Sequence, residues 1–244
     1  MDLDLGGIPR DWLHPPSLAA ATEAQRAIAA RVVAEDRPVP EGGDPPRRVV
    51  GVDASYKARD GVDWVHAAVV ALDGATLRPT GVAHASGPAV FPYVPGFFAF
   101  REVPPLLEAF ARLPERPHLV VVDGHGLSHP RGCGLASHLG ALLDLPTVGV
   151  AKTILVGKPE GEVGAEVGDR VPLVWRGREV GAVLRTRRKV APVYVSVGHR
   201  VSLDGAVAHV LRLLGGYRLP EPTRLADKAA GEARRAEEEG LAHM

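Results

Sequence analysis

The chain of 244 residues contains no asparagine, a single glutamine at Gln25 and a single cysteine at Cys133. Loss of thermolabile amides fits a hot habitat, and GC-rich coding produces the same Arg, Ala, Gly and Pro bias, so both origins stay open. One thiol cannot close a disulfide within the chain, and the opening MDLDLGG carries neither a basic nor an apolar signal region; a reduced, cytoplasmic protein is expected. Net charge is also absent, with 29 basic residues against 29 acidic ones. No global field draws in nucleic acid or an anionic membrane, and such a partner must be met by a local patch. Apolar runs such as 119–122 fall far short of the roughly 20 residues that cross a bilayer, so no membrane association is expected.

What is present reads as one α/β unit with extensions. Residues 18–35 open on a serine and continue in a helix-favouring amphipathic pattern, which the proline-rich stretch 37–46 ends. Three Val-rich runs at 48–56, 64–72 and 76–86, separated by Gly/Asp turns, predict an antiparallel meander. Residues 98–113 predict a helix with Pro104 and Pro105 near its first turns, where a missing amide is tolerated best. The pattern then alternates: strand 119–122, helix 135–143, strand 147–150, a late strand pair at 180–187 and 193–197, a helix at 202–214 and a polar tail helix at 227–239. That order is the order of the ribonuclease-H-like fold, a mixed central sheet of three antiparallel strands followed by parallel ones, flanked by helices. The expected division is an N-terminal helix and linker over 1–46, a catalytic domain over 47–220 and a polar tail over 221–244.

Two carboxylates interrupt apolar strands: Asp53 within VVGVDASY and Asp123 at the end of LVVVDGHG. Either one could cap a turn, but an ionised carboxylate inside an apolar element is costly without a metal or a partner. In open α/β sheets, sites gather beyond the carboxyl ends of the strands, where Asp123 falls. In this topology the first strand lies beside the fourth, so Asp53 and Asp123 can converge, with Glu102 as a third oxygen ligand from the start of a helix. Three hard oxygen ligands favour Mg²⁺, with Mn²⁺ able to replace it, over zinc. Such an ion suits phosphodiester hydrolysis, although phosphatase or other metal-assisted hydrolysis stays open. Lys152 follows a third strand in VGVAK and could offset phosphate charge there. His125, His129 and His138 lie in one stretch, of which one is expected to face the metals. Gly132 and Gly134 permit close backbone approach to a phosphate before the next helix.

The stretches VGVDASY, FPYVPGFFAFRE, DGHGLSHPRGCGLASHLG and TVGVAK, in that order from about Arg48 to Lys152, resemble the endonuclease V family, with weaker likeness in SVGHRVSL and PEPTRLAD. The resemblance implies a ribonuclease-H-like fold and Mg²⁺-dependent hydrolysis of the second phosphodiester bond 3′ to a deoxyinosine, leaving 3′-hydroxyl and 5′-phosphate ends. It maps Asp53, Glu102 and Asp123 onto metal carboxylates, Lys152 and His129 onto supporting catalytic positions, and Tyr93 onto a strand-separating wedge. Asp227 matches a position near the metals that is acidic or histidine in the family.

A base turned out of a duplex leaves a gap, and an aromatic wedge offsets the cost. Pro92 and Pro95 fix φ on either side of Tyr93 and make it a pre-organised tip. Hypoxanthine lacks an exocyclic amine, so main-chain groups at Gly96 and Gly124 could read it, with Phe98, Leu135 and Leu155 as apolar walls. Arg101 is expected to contact a phosphate, and the eight basic residues between 170 and 200 read either as a DNA-facing strip or as the solvated side of a hairpin. The expected partner is damaged DNA containing deoxyinosine, with inosine in RNA as a variant, and the expected working unit is a monomer. The alternatives are another ribonuclease-H-like nuclease, such as a junction resolvase, or an inosine-binding protein that does not cut.

Overall fold

The computed structural model describes residues 7–36 and 46–242, so the linker expected at 37–46 lies, except for Pro46, outside the described residues. Helix α1 (Leu18–Ala29) starts where the Ser17 hydroxyl accepts from the Ala20 amide at 3.1 Å, and its Ala21, Ala24, Gln25 and Ile28 are buried at helical spacing. It stops short of residue 35 because the following chain is drawn elsewhere: the Val33 amide donates to His199 Nδ1 and its carbonyl accepts from the Arg200 amide.

Strands β1 (Arg48–Arg59), β2 (Val62–Asp73) and β3 (Pro79–Pro88) form the expected meander. The third begins later than the sequence suggests, because Asp73 Oδ1 accepts from the amides of Ala75 and Thr76 and from the Thr76 hydroxyl, holding those residues in a turn. Next come α2 (Ala99–Ala111), β4 (Leu119–Asp123), α3 (Leu135–Leu143) and β5 (Thr147–Ala151). Pro104 and Pro105 lie in the second turn of α2, so the Phe100 and Arg101 carbonyls lack their usual helical donors. The chain continues through β6 (Lys158–Pro159), β7 (Arg170–Trp175), β8 (Arg178–Leu184), β9 (Val193–His199), α4 (Leu203–Arg212) and α5 (Glu221–Ala242). Residues 158–159 and 170–175, not foreseen as strands, extend the late pair. Among the described residues, no helix is long and apolar enough to cross a membrane.

All nine strands join one mixed sheet in the order β3-β2-β1-β4-β5-β9-β8-β7-β6, with β1, β4 and β5 parallel. Alternation along the strands assigns side chains to two layers. Val50 and Val52 of β1, Ala67 and Val69 of β2, and Val120 and Val122 of β4 pack against α1, α2 and α3. Val49, Leu119, Val121, Val148 and Val150 pack on the opposite face with α4. Ala68, Val70 and Leu72 of that face meet Ala226, Ala229 and Ala230 of α5. The C-terminal helix is therefore a packed layer on β1 and β2, beginning at Glu221 rather than 227.

Gly51 sets how close that layer comes: a Cβ there would lie 1.9 Å from the Pro222 carbonyl oxygen, at the start of α5. Gly51→Ala must lift the helix off β1. Overpacking of this kind costs about 1–3 kcal/mol, and at about 2–4 °C per kcal/mol for a chain of this size a fall in Tm of about 2–12 °C is expected in scanning calorimetry. An unchanged Tm would mean that α5 does not depend on this contact.

Candidate active site

Parity along β1, β4 and β5 assembles the site. Val52 pairs with Val122 in parallel register, which places Asp53 beside Asp123; on β5, Val150 pairs with Asp123 and Lys152 follows two residues later. All three side chains project from the face that α5 covers, and α5 adds Asp227. One oxygen each from Asp53, Asp123 and Asp227 lies within 4.8 Å of the others. Lys152 Nζ is 2.6 Å from Asp123 Oδ2 and 3.1 Å from Asp227 Oδ1.

Burial, followed by the charge of Asp123, raises the Asp53 pKa, and burial likewise raises that of Asp123. Burial alone would lower the Lys152 pKa, but Asp123 and Asp227 outweigh it and hold the group above its ordinary value. Oδ2 of Asp123, cut off from solvent, has the Lys152 ammonium as its ion-pair partner but accepts no well-directed hydrogen bond. Three clustered carboxylates, two of them disfavoured as anions and balanced by one ammonium, fit a hard divalent cation.

Glu102, expected among the metal carboxylates, stands outside that trio, which Asp227, also expected near the metals, completes. Glu102 comes from α2 on the other face, where its Oε1 accepts from the Tyr56 hydroxyl at 2.7 Å. Its pKa is pushed up to about 7 by burial, against the opposing effect of the Tyr56 hydrogen bond, with Asp123 adding to the rise. Tyr56 lies three residues beyond Asp53, so alternation turns it to the opposite layer; that signal was present in VGVDASY and went unused.

Beside the carboxylates lies a recess of about 160 Å³ lined by Glu102, Asp123, Gly96, Gly124, Phe98, Leu135 and Leu155. The two glycines and three apolar residues singled out from sequence therefore share one wall system with two of the expected carboxylates. Tyr93 stands beside it, 66 % exposed, in an edge-to-face contact with Phe98 at 4.9 Å between ring centres. Pro92 and Pro95 are exposed on either side.

Arg101 is a correction. It is 4 % exposed, with Nη2 on Asp63 Oδ2 at 2.7 Å and Nη1 donating to the Phe91 carbonyl at 2.9 Å. Its guanidinium is spent on anchoring the start of the tyrosine loop, and its Cζ lies 5.8 Å from the Tyr93 ring centre. His129 also turns inward: Nε2 donates to the Gly96 carbonyl at 2.9 Å, and Nδ1 accepts from the Arg131 and Cys133 amides. Burial pushes its pKa down to about 3, which keeps the ring neutral and fixes the tautomer. His125 lines the recess and pairs with the Ser128 hydroxyl, while His138 donates to the Trp12 carbonyl; none of the three belongs to the carboxylate trio. Gly134 serves packing, since a Cβ there would lie 2.2 Å from the His125 carbonyl oxygen. Of the basic residues between 170 and 200, Arg170, Arg188 and Arg200 pair with Asp204, Glu166 and Asp144, and Arg185 binds main-chain carbonyls. Arg170 and Arg188 make their pairs at the exposed surface, while Arg185 is held against the fold.

Gln25 and Arg218 were not foreseen. Gln25 lines the recess from α1. Arg218 Nη2 donates to the carbonyls of Lys152 and Pro192, each at 2.8 Å, and so fixes the backbone of the lysine.

A family profile described as Endonuclease V matches residues 26–228. Endonuclease V of Rhodospirillum centenum is 57 % identical over 235 residues, covering 96 % of this chain and 95 % of that protein. The crystal structure of endonuclease V from Streptomyces avermitilis is 48 % identical, with a TM-score of 0.84 over 96 % of this chain and 98 % of that one. Endonuclease V of Ciona intestinalis, solved with a 24mer DNA containing an inosine followed by a ribo-adenosine, is 24 % identical, with a TM-score of 0.78 over 90 % of this chain and 98 % of that one.

Two variants test the site without substrate. Above pH 8, where Asp53 with its pKa raised to about 8 is ionised, Asp53→Asn removes one of several like charges from a desolvated cluster, so in chelator its Tm should rise there by about 2–4 °C per kcal/mol recovered, while the stabilisation on adding Mg²⁺ or Mn²⁺ is lost. A lower Tm in chelator would show that the cluster is not strained by its own charge. Tyr56→Phe releases Glu102 from its donor and should raise the half-saturating divalent concentration by about tenfold, the scale of other supporting hydrogen bonds at metal sites, as read by metal-dependent Tm shifts.

Proposed function

The chain belongs to the endonuclease V family, and from that premise we propose that it is a Mg²⁺-dependent DNA repair endonuclease for deoxyinosine, with Mn²⁺ able to substitute. The bond hydrolysed is the second phosphodiester 3′ to the lesion, leaving 3′-hydroxyl and 5′-phosphate ends. The observation that carries this reading is the shared wall: Glu102 and Asp123 line the same recess as Gly96, Gly124, Phe98, Leu135 and Leu155. A base-sized hollow and a phosphate-cutting cluster are thus one site. The Ciona intestinalis protein binds inosine-containing DNA; at its distance from this chain that likeness extends the fold, and the substrate reading rests on the recess itself.

Asp53, Asp123 and Asp227 would hold the cation, with Glu102 completing the set from the α2 side. A divalent ion bound there neutralises charge building on a phosphate and makes a water more acidic. Lys152, clasped by Asp123 and Asp227, is an ammonium suited to offsetting phosphate charge. Tyr93, exposed beside the recess and braced by Phe98, fills the gap left by the flipped nucleotide. The recess receives the base, where main-chain groups at Gly96 and Gly124 meet its carbonyl and ring N–H, and an exocyclic amine is excluded by the walls. A single chain holds every one of these residues, which supports a monomer as the working unit. A protein that only marks the lesion has no use for a lysine clasped by two of three clustered carboxylates.

The test is a labelled duplex series carrying one inosine, uracil, abasic site or mismatch, with an RNA version of the inosine duplex beside it. Mg²⁺-dependent nicking at the second bond 3′ to inosine is expected, lost in Asp53→Ala and Asp123→Ala while binding in Ca²⁺ survives. Equal cutting of undamaged duplex would remove the inosine assignment. Tyr93→Ala should weaken lesion binding by about 1–3 kcal/mol, the scale of a lost aromatic contact to a base, and leave the divalent midpoint where it was; normal lesion affinity would sink the wedge role.

A further inference from the structure

The Gly96 carbonyl is the most heavily bonded group in the site. Gln25 Nε2 donates to it at 2.9 Å, His129 Nε2 at 2.9 Å and Arg131 Nη2 at 2.7 Å. A carbonyl oxygen offers two lone pairs, so three donors on it amount to saturation. They come from two segments distant in sequence, helix α1 and the loop between β4 and α3. We propose that Gln25 is a positioning residue for lesion selection: its amide ties α1 to the Gly96 peptide, and so sets the form of the recess that receives the flipped base. This inference rests on the inosine reading above.

The local geometry shows what is being held. The Phe97 amide donates to the Val94 carbonyl at 3.0 Å, closing a turn with Pro95 and Gly96 at its centre. Gly96 has φ of +79°, the value that the third residue of a type II turn requires and that favours glycine. The peptide joining Gly96 to Phe97 is therefore fixed at both ends, its N–H by Val94 and its carbonyl by the three side chains. That peptide links the Tyr93 tip to Phe98 and to α2, which carries Glu102. A tilt here moves the wedge and one wall of the recess together.

Gln25 has no other employment. It is 1 % exposed, and its polar atoms reach only this region: Nε2 also approaches the Cys133 carbonyl at 3.4 Å, and Oε1 accepts from Arg131 Nε at 2.5 Å. Gly96, Cys133 and Gln25 all line the recess. A buried amide costs free energy unless its groups are paired, and an apolar residue would serve plain helix packing better. The only glutamine in the chain thus stands where helix packing alone calls for leucine, with its hydrogen bonds directed at two walls of the site.

Gln25→Glu is the discriminating variant. It keeps shape and the acceptor for Arg131, and it replaces the donor facing Gly96 with a carboxylate oxygen. Hydrogen exchange of the free protein should show the amides of Tyr93, Val94, Gly96 and Phe97 exchanging about tenfold faster or more, the scale of a buried carboxylate oxygen set against a carbonyl with no donor between them, with β1, β4 and α5 unchanged. Binding in Ca²⁺ should lose inosine preference over the matched undamaged duplex by a similar factor, with the divalent midpoint of the Tm shift unaltered. Arg131→Met, which removes a second donor, should move both readouts in the same direction, and Gln25→Leu provides a variant without a buried charge. Unchanged loop exchange in all three variants overturns the proposal, as does faster exchange spread through α1 and the sheet, which would make Gln25 a residue of general stability. If the wild-type protein itself shows no inosine preference, the proposed function fails, and the exchange measurement still decides whether Gln25 holds the loop.

Discussion

Everything at this site depends on holding like charges together. Three carboxylates offer oxygens within 4.8 Å of one another, two of them in partly buried positions where burial disfavours the anion. No isolated loop could keep them there against their repulsion. They are kept because Asp53 and Asp123 extend from adjacent parallel strands in fixed register, and because α5 is pressed onto the same face by its fit over Gly51. Lys152 supplies the balancing positive charge, and its own backbone is pinned by Arg218. The chemistry is a consequence of a rigid sheet that charge repulsion cannot open.

Strand β1 serves both layers. Its odd positions present Gly51 and Asp53 to α5, and three residues on, Tyr56 reaches Glu102 on α2. The two helices approach from opposite faces, and their acidic residues each come near Asp123 at the strand end, where the sheet no longer separates the layers. The recess forms at that same margin, between the start of α2, the Asp123–Gly124 corner and the start of α3. The carboxylate cluster and the recess are adjacent because the sheet ends there.

The Phe91–Gly96 loop is rigid for more than one reason. Its prolines restrict φ, but they cannot say where the loop points. Direction comes from buried polar bonds: Arg101 grips the Phe91 carbonyl and Asp63 at one end, and Gln25, His129 and Arg131 grip the Gly96 carbonyl at the other. Such networks, once satisfied, select one arrangement over near neighbours. His129 belongs to this set as a neutral donor, because burial keeps its pKa down at about 3.

The motifs by themselves determined the meander, the parallel pair β4 and β5, and the convergence of Asp53 with Asp123, since side-chain alternation and short apolar runs are local properties of a chain. They also marked Tyr93 as a stiff tip, because proline acts through its own φ wherever it stands. Only the tertiary structure decided what Arg101, His129, Gln25, Tyr56 and Asp227 do. A guanidinium next to an acidic residue reads equally as a phosphate contact or an internal anchor, and burial against Asp63 makes it an anchor. By local pattern Asp227 is one acid among many on a polar helix, placed near the metals only by the family resemblance, and the packing of α5 over β1 brings it to Asp53 and Asp123. Gln25 reaches across 71 residues of sequence to Gly96, and no local pattern encodes a hydrogen bond whose partner is supplied by the folding of another segment.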